Sequence, residues 1–260
     1  MAIQQFSIKM IKNISAVIIT KNSIDTISIT LESLKDFKEV IIFDNGSTDG
    51  TLNAIKFFGN VSLFCGDFLG FGETKNHAIS LASNDWIFSL DADESLSEEL
   101  ASHLHKIELK PKLIGEVQRK NFFMGKEMTT AGWGRDKIIR LFNRKEFSFS
   151  DRLVHEKVEI DLTAQKICLN GYLVHLAVNN LSQILEKVNL YSDLYAKEND
   201  TFYPLIIIIF KAYYAFFRTY FLQKGFLAGW RGFVLAVSNS IGVFYKYIKV
   251  YAKQKQKIKK

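Results

Sequence analysis

The residues best suited to chemistry lie in the run Ser89-Leu90-Asp91-Ala92-Asp93-Glu94. An apolar stretch, residues 85–90 (DWIFSL), runs straight into two carboxylates separated by one residue. Adjacent carboxylates repel unless a cation joins them. A hard divalent ion such as Mg2+ or Mn2+ takes oxygen ligands and bridges to phosphates. Asp91 and Asp93 are therefore candidate metal ligands for a phosphate-bearing substrate. The plain alternative is a helix cap, with Asp93 or Ser95 opening a helix from Ser97. An EF-hand loop is excluded, because Leu96 and Ser102 stand where its Gly and closing Glu belong.

A second constellation is Asp44-Asn45-Gly46-Ser47-Thr48-Asp49-Gly50-Thr51. Asp44 can accept from a base imide or a ribose hydroxyl, while the turn after it supplies backbone N–H groups. An ordinary Asx/Gly turn opening the next helix is the alternative. Gly70-Phe71-Gly72 is no dinucleotide fingerprint, since Lys75 occupies the place of the third glycine, and the chain has no P-loop GKS or GKT.

These residues need a scaffold that gathers them. Ile14–Thr20 (ISAVIIT), residues 39–43 (EVIIF), 61–64 and 85–90 read as short buried strands. Helical spacing falls between them at residues 25–34, 51–58 and 74–82. This alternation predicts a mainly parallel sheet of right-handed βαβ units, with ligands beyond the carboxyl ends of its strands. A helix follows at 97–107. Strands follow at 115–123, 137–142 and 157–160, with a Gly/Trp loop at 131–135. An amphipathic helix covers 181–195. The domain boundaries expected are an N-terminal extension at 1–13, a catalytic domain at 14–178 with halves at about 14–94 and 95–178, and a helical region at 179–260.

The net charge of +7 is unevenly spread. Residues 202–260 hold eleven Lys/Arg and no Asp or Glu, leaving 23 basic against 27 acidic residues in the first 201. The tail is also apolar and aromatic. Residues 202–222 are interrupted only by Lys211 and Arg218, which are seven apart and share a helix face. Such a segment is expected to lie in an anionic membrane interface with its basic groups snorkelling to head groups. Its aromatic and aliphatic bulk favours lipid over nucleic acid. The alternatives are a buried helical hairpin and a true span. Residues 1–13 carry no h-region of a signal peptide. Cys65 and Cys168 form no disulfide framework and are expected to be buried thiols in a reducing compartment.

The motif order carries a resemblance. Thr20-Lys21-Asn22 follows the first strand, and Asp44 through Thr51 follows the second. Gly70 through Asn76 opens a helix, and Asp91-Ala92-Asp93 follows the fourth strand. Over residues 14–160 the chain resembles the family 2 glycosyltransferases of the GT-A, or nucleotide-diphospho-sugar transferase, fold. It is most similar to bacterial enzymes that add a β-linked glucose to the lipopolysaccharide inner core. The shared stretches are Lys75-Asn76-His77-Ala78 through Glu94, Arg140-Leu141-Phe142, Val154-His155-Glu156 and residues 225–232 (GFLAGWRG).

The resemblance implies an α/β GT-A domain with a C-terminal membrane-associating segment, an inverting transfer from a UDP-sugar, and a saccharide or glycolipid acceptor. It places Thr20, Asn22, Asp44, Lys75, Asn76 and Asp91 by the nucleotide sugar, with Arg140 on its phosphates. It places Mg2+ or Mn2+ at Asp93, with Asp91 and His155 as further ligands. Glu156, Asp151 and Asp136 are the candidate bases, with Arg135 beside them on the acceptor side. In the first loop the family often has Glu where this chain has Ser23. A polyprenyl phosphate, capsule or protein acceptor, and a non-catalytic membrane-bound sugar-nucleotide binder, remain the other readings. The implied location is cytoplasmic, peripheral on the inner face of the cytoplasmic membrane.

Overall fold

A computed structural model describes residues 10–134, 136–150 and 156–258. Arg135, Asp151, Val154 and His155, together with residues 1–9 of the expected extension, lie outside the described residues. The chain divides into two compact units. One runs to Arg119 and resumes over Lys137–His175; the other comprises Lys120–Asp136 and Leu176 onward.

In the first unit, β1 (Ile14–Thr20), β2 (Val40–Asp44), β3 (Val61–Cys65) and β4 (Trp86–Asp91) form a parallel ladder. Nearly every residue of β1, β2 and β4 is buried, as expected of parallel strands covered on both faces. One face packs Ile18, Ile42 and Phe88 against Ile27 and Leu31 of α1 (Ile27–Glu32) and Ile55 of α2 (Thr51–Ile55). The other packs Val17, Ile41 and Ile87 against Ala78 and Ile79 of α3 (Phe71–Ser80). Each fully buried aliphatic or Phe side chain contributes about 1.5–3 kcal/mol. The helix α3 opens after Gly70, whose φ of +114° L side chains rarely adopt.

Beyond β4 come β5 (Glu94–Leu96), α4 (Glu98–Lys106), β6 (Leu113–Phe123), β7 (Lys126–Glu127), β8 (Asp136–Asn143) and β9 (Gln165–Val178). The strand order is β3-β2-β1-β4-β8-β6-β9-β5, with β7 paired to β6. Ser97 caps α4 by accepting from Leu100 N at 3.2 Å. The acidic pair at 91 and 93 is therefore not a helix cap, because β5 stands between it and the helix. Residues 157–160 form no strand; only Val158 bridges to Phe149. The cysteines correct the sequence reading as well. Both are exposed, Cys65 because β3 is the edge strand and Cys168 because it points outward on β9.

The second unit contains α5 (Leu181–Glu198), α6 (Leu205–Phe217) and α7 (Trp230–Ile258), and α7 packs against the other two. A π-helical turn at Arg218–Leu222 and a 3-10 turn at Gly225–Ala228 join α6 to α7. Phe202 stacks on Tyr251, Ser240 donates to Ala212 O, and Phe216 meets Phe233. Partners on α7 thus fall in number as those on α6 rise, so the two helices are antiparallel. Phe123, Met128 and Ala131 share a cluster with Val178 and Leu235, and Ala131 N donates to Gln223 O at 2.8 Å.

Candidate active site

Strand register sets the site. In the parallel ladder Thr20 stands opposite Asp44, and Ile19 stands opposite Asp91. Asp44 and Asp91 therefore end two strands that flank β1, about 10 Å apart at two strand spacings. Registered residues share a face and consecutive residues alternate. Asp44 projects on the α1/α2 side, and Asp91 projects on the α3 side. The two carboxylates straddle one carboxyl edge of the sheet.

Asp44 is buried, and its turn holds it. Its Oδ2 accepts from Gly46 N at 2.9 Å and Ser47 N at 2.8 Å, and its Oδ1 accepts from the Ser47 hydroxyl. That is an Asx turn, and Oδ1 keeps one lone pair for a further donor. Asn22, at a φ of +51°, stitches the first loop to this turn. Its N–H donates to Ser47 Oγ at 2.8 Å and its Oδ1 accepts from Thr48 N at 2.7 Å. Asp49 accepts from Ile24 N and from the Thr51 N–H and hydroxyl. Thr20 Oγ1, between the two strand-end acids, is buried with no hydrogen-bond partner.

On the α3 side a compact ion cluster surrounds Asp91. Lys75 Nζ lies 2.9 Å from Asp91 Oδ1 and 2.7 Å from Glu156 Oε1. Arg140 Nη2 lies 2.7 Å from Asp91 Oδ2 and 2.6 Å from Glu94 Oε1, and Arg119 Nη1 lies 3.0 Å from Glu94 Oε1. Asp91 N donates to Glu94 Oε2. Ala92 O accepts the Thr26 hydroxyl at 2.8 Å and the Thr30 hydroxyl at 3.0 Å, so α1 fixes the acidic turn from the other face.

The charges hold one another ionised. Burial acts to raise the Asp91 carboxyl, but Arg140 and Lys75 outweigh it and hold the group well below the usual carboxylate range. Burial acts to lower the Lys75 ammonium, but Asp91 and Glu156 outweigh it and the group is raised. The Arg140 guanidinium is likewise raised by Asp91 and Glu94 against burial.

The structure gathers some of the expected residues and separates others. Thr20, Asn22 and Asp44 form one side of the edge, with Lys75, Asp91, Arg140 and Glu156 on the other. Asn76 faces elsewhere: its Nδ2 donates to Phe149 O and its Oδ1 accepts from Phe149 N, both at 2.9 Å. These two bonds tie the Phe149 backbone to α3 and leave one N–H and one lone pair of the amide over. Asp136 belongs to the second unit, where Asn121 Nδ2 donates to it at 3.2 Å. Asp151 and His155 lie outside the described residues.

The fit to a divalent ion is divided. Asp91 does not fit, because both of its oxygens already face cations. Asp93 does fit as an oxygen donor, and His175 Nε2 stands 3.4 Å from its Oδ2 as a nitrogen donor. No group of three or more His, Cys, Asp or Glu side chains converges for a metal among the described residues. Three participants escaped the sequence reading. Glu94, fully buried, and Arg119 complete the cluster. His175 has no partner pattern in the sequence, yet the β5–β9 ladder sets it opposite Glu94. The DADE run hints at Glu94; nothing local marks the other two.

The model of the family described as Glycosyl transferase family 2 matches residues 15–154. An uncharacterized glycosyltransferase of Rickettsia typhi is 28% identical over 254 residues, covering 92% of this chain and 87% of its own. The lipopolysaccharide core biosynthesis glycosyltransferase LpsC of Rhizobium meliloti is 26% identical over 251 residues, covering 92% of each chain. Residues 1–349 of S. aureus TarS, in a crystal structure with UDP-GlcNAc, align over 94% of this chain and 92% of that one, with 13% identity and a TM-score of 0.40. That likeness is too distant to assign a role to any residue.

Proposed function

Since the chain belongs to family 2 of the glycosyltransferases, we propose that it moves a hexose, glucose foremost, from a UDP-sugar to a hydroxyl of a lipopolysaccharide or lipooligosaccharide core acceptor. The observation that carries this reading is the register that brings Asp44 and Asp91 to one carboxyl edge of the sheet, with Asp93 two residues beyond in the turn after β4. A nucleoside diphosphate fits such an edge in an open α/β fold. The acceptor class is supported by the printed role of the Rhizobium meliloti relative.

The donor's uridine lies on the Asp44 side. The remaining lone pair on Asp44 Oδ1 and the unpartnered Thr20 hydroxyl bind its polar edge. The diphosphate lies on the Asp91 side. There Lys75, Arg119 and Arg140 are already balanced by Asp91, Glu94 and Glu156. A balanced cluster has little charge to spare for an incoming diphosphate, and Asp93 adds another negative group. This balance favours a Mg2+ or Mn2+ ion held by Asp93, whose chemistry when bound is to neutralise charge on the departing UDP.

The chain's own groups supply the rest. Arg140 and Lys75 present N–H donors to phosphate oxygens and fix Asp91 beside them. Glu156, held in place by Lys75, takes the proton from the acceptor hydroxyl as its oxygen attacks the anomeric carbon. Asp151 and Asp136 are the rivals for that proton. UDP departs from the opposite face, and the product is inverted. Residues 202–260 hold the enzyme on the anionic cytoplasmic face of a membrane, where a glycolipid acceptor is presented.

A thermal-shift panel of UDP-, GDP-, ADP- and CMP-sugars, with and without Mn2+, tests this reading. Uridine nucleotides should raise the melting temperature most, and more with Mn2+. Equal shifts for all nucleotides would contradict the Asp44 assignment.

A further inference from the structure

The second unit carries a surface that the transfer chemistry does not use. Residues Leu205–Leu222 form one apolar helical stretch of 18 residues, with mean hydropathy 1.5, that is long enough to cross a membrane by length and composition. One of its faces is committed to α7. Ile208 and Ala212 are buried there, Ser240 donates to Ala212 O, and Asn239 Nδ2 donates to Thr219 Oγ1 at 3.1 Å. The opposite face is open and apolar: Ile206, Ile209, Phe210, Tyr213, Tyr214 and Leu222 all project outward, with Phe210 62% and Tyr213 66% exposed. The α-helical part of the strip alone is about 20 Å long, from 13 residues at about 1.5 Å each, and a contiguous exposed apolar strip of this kind marks an interaction or membrane site.

The charges around this strip are not where helical spacing puts them. Lys211 does not share the outward face. Its Nζ lies 4.6 Å from the Tyr203 ring centroid and 5.0 Å from that of Tyr247, inside the helix pair. Several other tail lysines are also engaged. Lys249 pairs with Asp193 at 2.6 Å and Lys253 pairs with Asp200 at 3.1 Å, both on the α5 side. The outward strip is thus uncharged along α6, and exposed cations begin at its end, with Arg218 and Lys224.

We infer that this strip of α6 is the lipid-contacting face, lying in the plane of one leaflet, with Arg218 and Lys224 at the depth of anionic head groups. The inference deepens the membrane association proposed above and rests on it. An in-plane pose follows from the packing. With α7 covering one side of α6 and Lys249 and Lys253 tying α7 to α5, only one stripe of α6 can meet acyl chains, which is the pattern of an interfacial helix. A second copy is a poorer occupant. A self-complementary contact along the strip would offer Arg218 and Lys224 no acidic partner, since residues 202–260 hold no Asp or Glu.

Flotation of the full chain with phosphatidylcholine vesicles, with and without phosphatidylglycerol, tests this. The wild type should float with the anionic vesicles. The double variant Phe210→Glu/Tyr214→Glu changes only exposed positions and should lose at least about tenfold in partitioning. Its melting temperature and UDP binding should be unchanged. Arg218→Glu/Lys224→Glu should lose the preference for anionic vesicles, and Lys211→Gln should float like the wild type. If the wild type floats and the Phe210/Tyr214 variant floats equally well, the face is wrong while membrane association stands. If no variant floats and the wild type does not either, membrane association itself fails. A wild-type dimer that the Phe210/Tyr214 variant splits would overturn the inference in favour of a second copy.

Discussion

Lys75 and Glu156 stand 81 positions apart in the chain and 2.7 Å apart in space. The same ammonium reaches Asp91 at 2.9 Å, so one buried side chain joins the candidate base to the strand-end acid. Replacing it with Met leaves the largely buried Glu156 without its cation and Asp91 with Arg140 as its nearest cation. Lys75→Met should cost about 3–5 kcal/mol of stability, measured by denaturant unfolding. Loss of less than about 1 kcal/mol would mean that the ion pair is not formed in solution.

The anchoring role of Asn76 separates from a nucleotide-binding role by kinetics. Asn76→Ala leaves the Phe149 N–H and C=O without their partner, at a cost of about 1–3 kcal/mol. The acceptor KM should rise and kcat should fall, while the dissociation constant for UDP stays within about twofold. Weakened UDP binding with an unchanged acceptor KM would return Asn76 to the nucleotide.

Stability should respond to pH at both extremes. Asp91 is depressed in the folded state, so its contribution is present above the ordinary carboxylate range of about 4 and is lost as pH falls through the lower folded value. Lys75 is raised, so its contribution is present below about 10.4 and is lost as pH rises through the higher folded value. Melting temperatures followed from pH 2 to 12 should show the acid limb flattened in Asp91→Asn. An unchanged acid limb would place the acid-sensitive interaction elsewhere.

Packing in the second unit gives a stability test remote from the chemistry. A Cβ built on Gly232 would lie 1.8 Å from Gly225 O, too close for any side chain. Gly232→Ala should force the 3-10 turn away from α7 and cost about 1–3 kcal/mol or more. A melting temperature equal to that of the wild type would show the turn to be looser than described.

The chemistry-bearing edge was legible in the sequence because buried parallel strands announce themselves. Ile14–Thr20 and Val40–Asp44 are β-branched runs that end in polar residues, and the ends are the site. The Gly/Ser/Asp turn after Asp44 was equally plain, since its hydrogen bonds are local. What failed depends on distant pairing. The long strand Gln165–Val178 mixes exposed and buried residues without strict alternation, so its pattern hides it. Its partnership with Glu94–Leu96, which brings His175 beside Asp93, is a tertiary fact. Lys211 misled for a related reason: spacing puts it on a face with Arg218, but the rings of Tyr203 and Tyr247 draw its ammonium inward.

The account rests most heavily on Asp93, which lies beside His175 at the edge where the diphosphate is placed. The direct test is UDP release from a UDP-sugar in the presence of acceptor and Mn2+, comparing Asp93→Ala with the wild type at matched melting temperature. A fall of about 100-fold or more in transfer, with folding intact, is the predicted result. Undiminished transfer by a folded Asp93→Ala enzyme would contradict it.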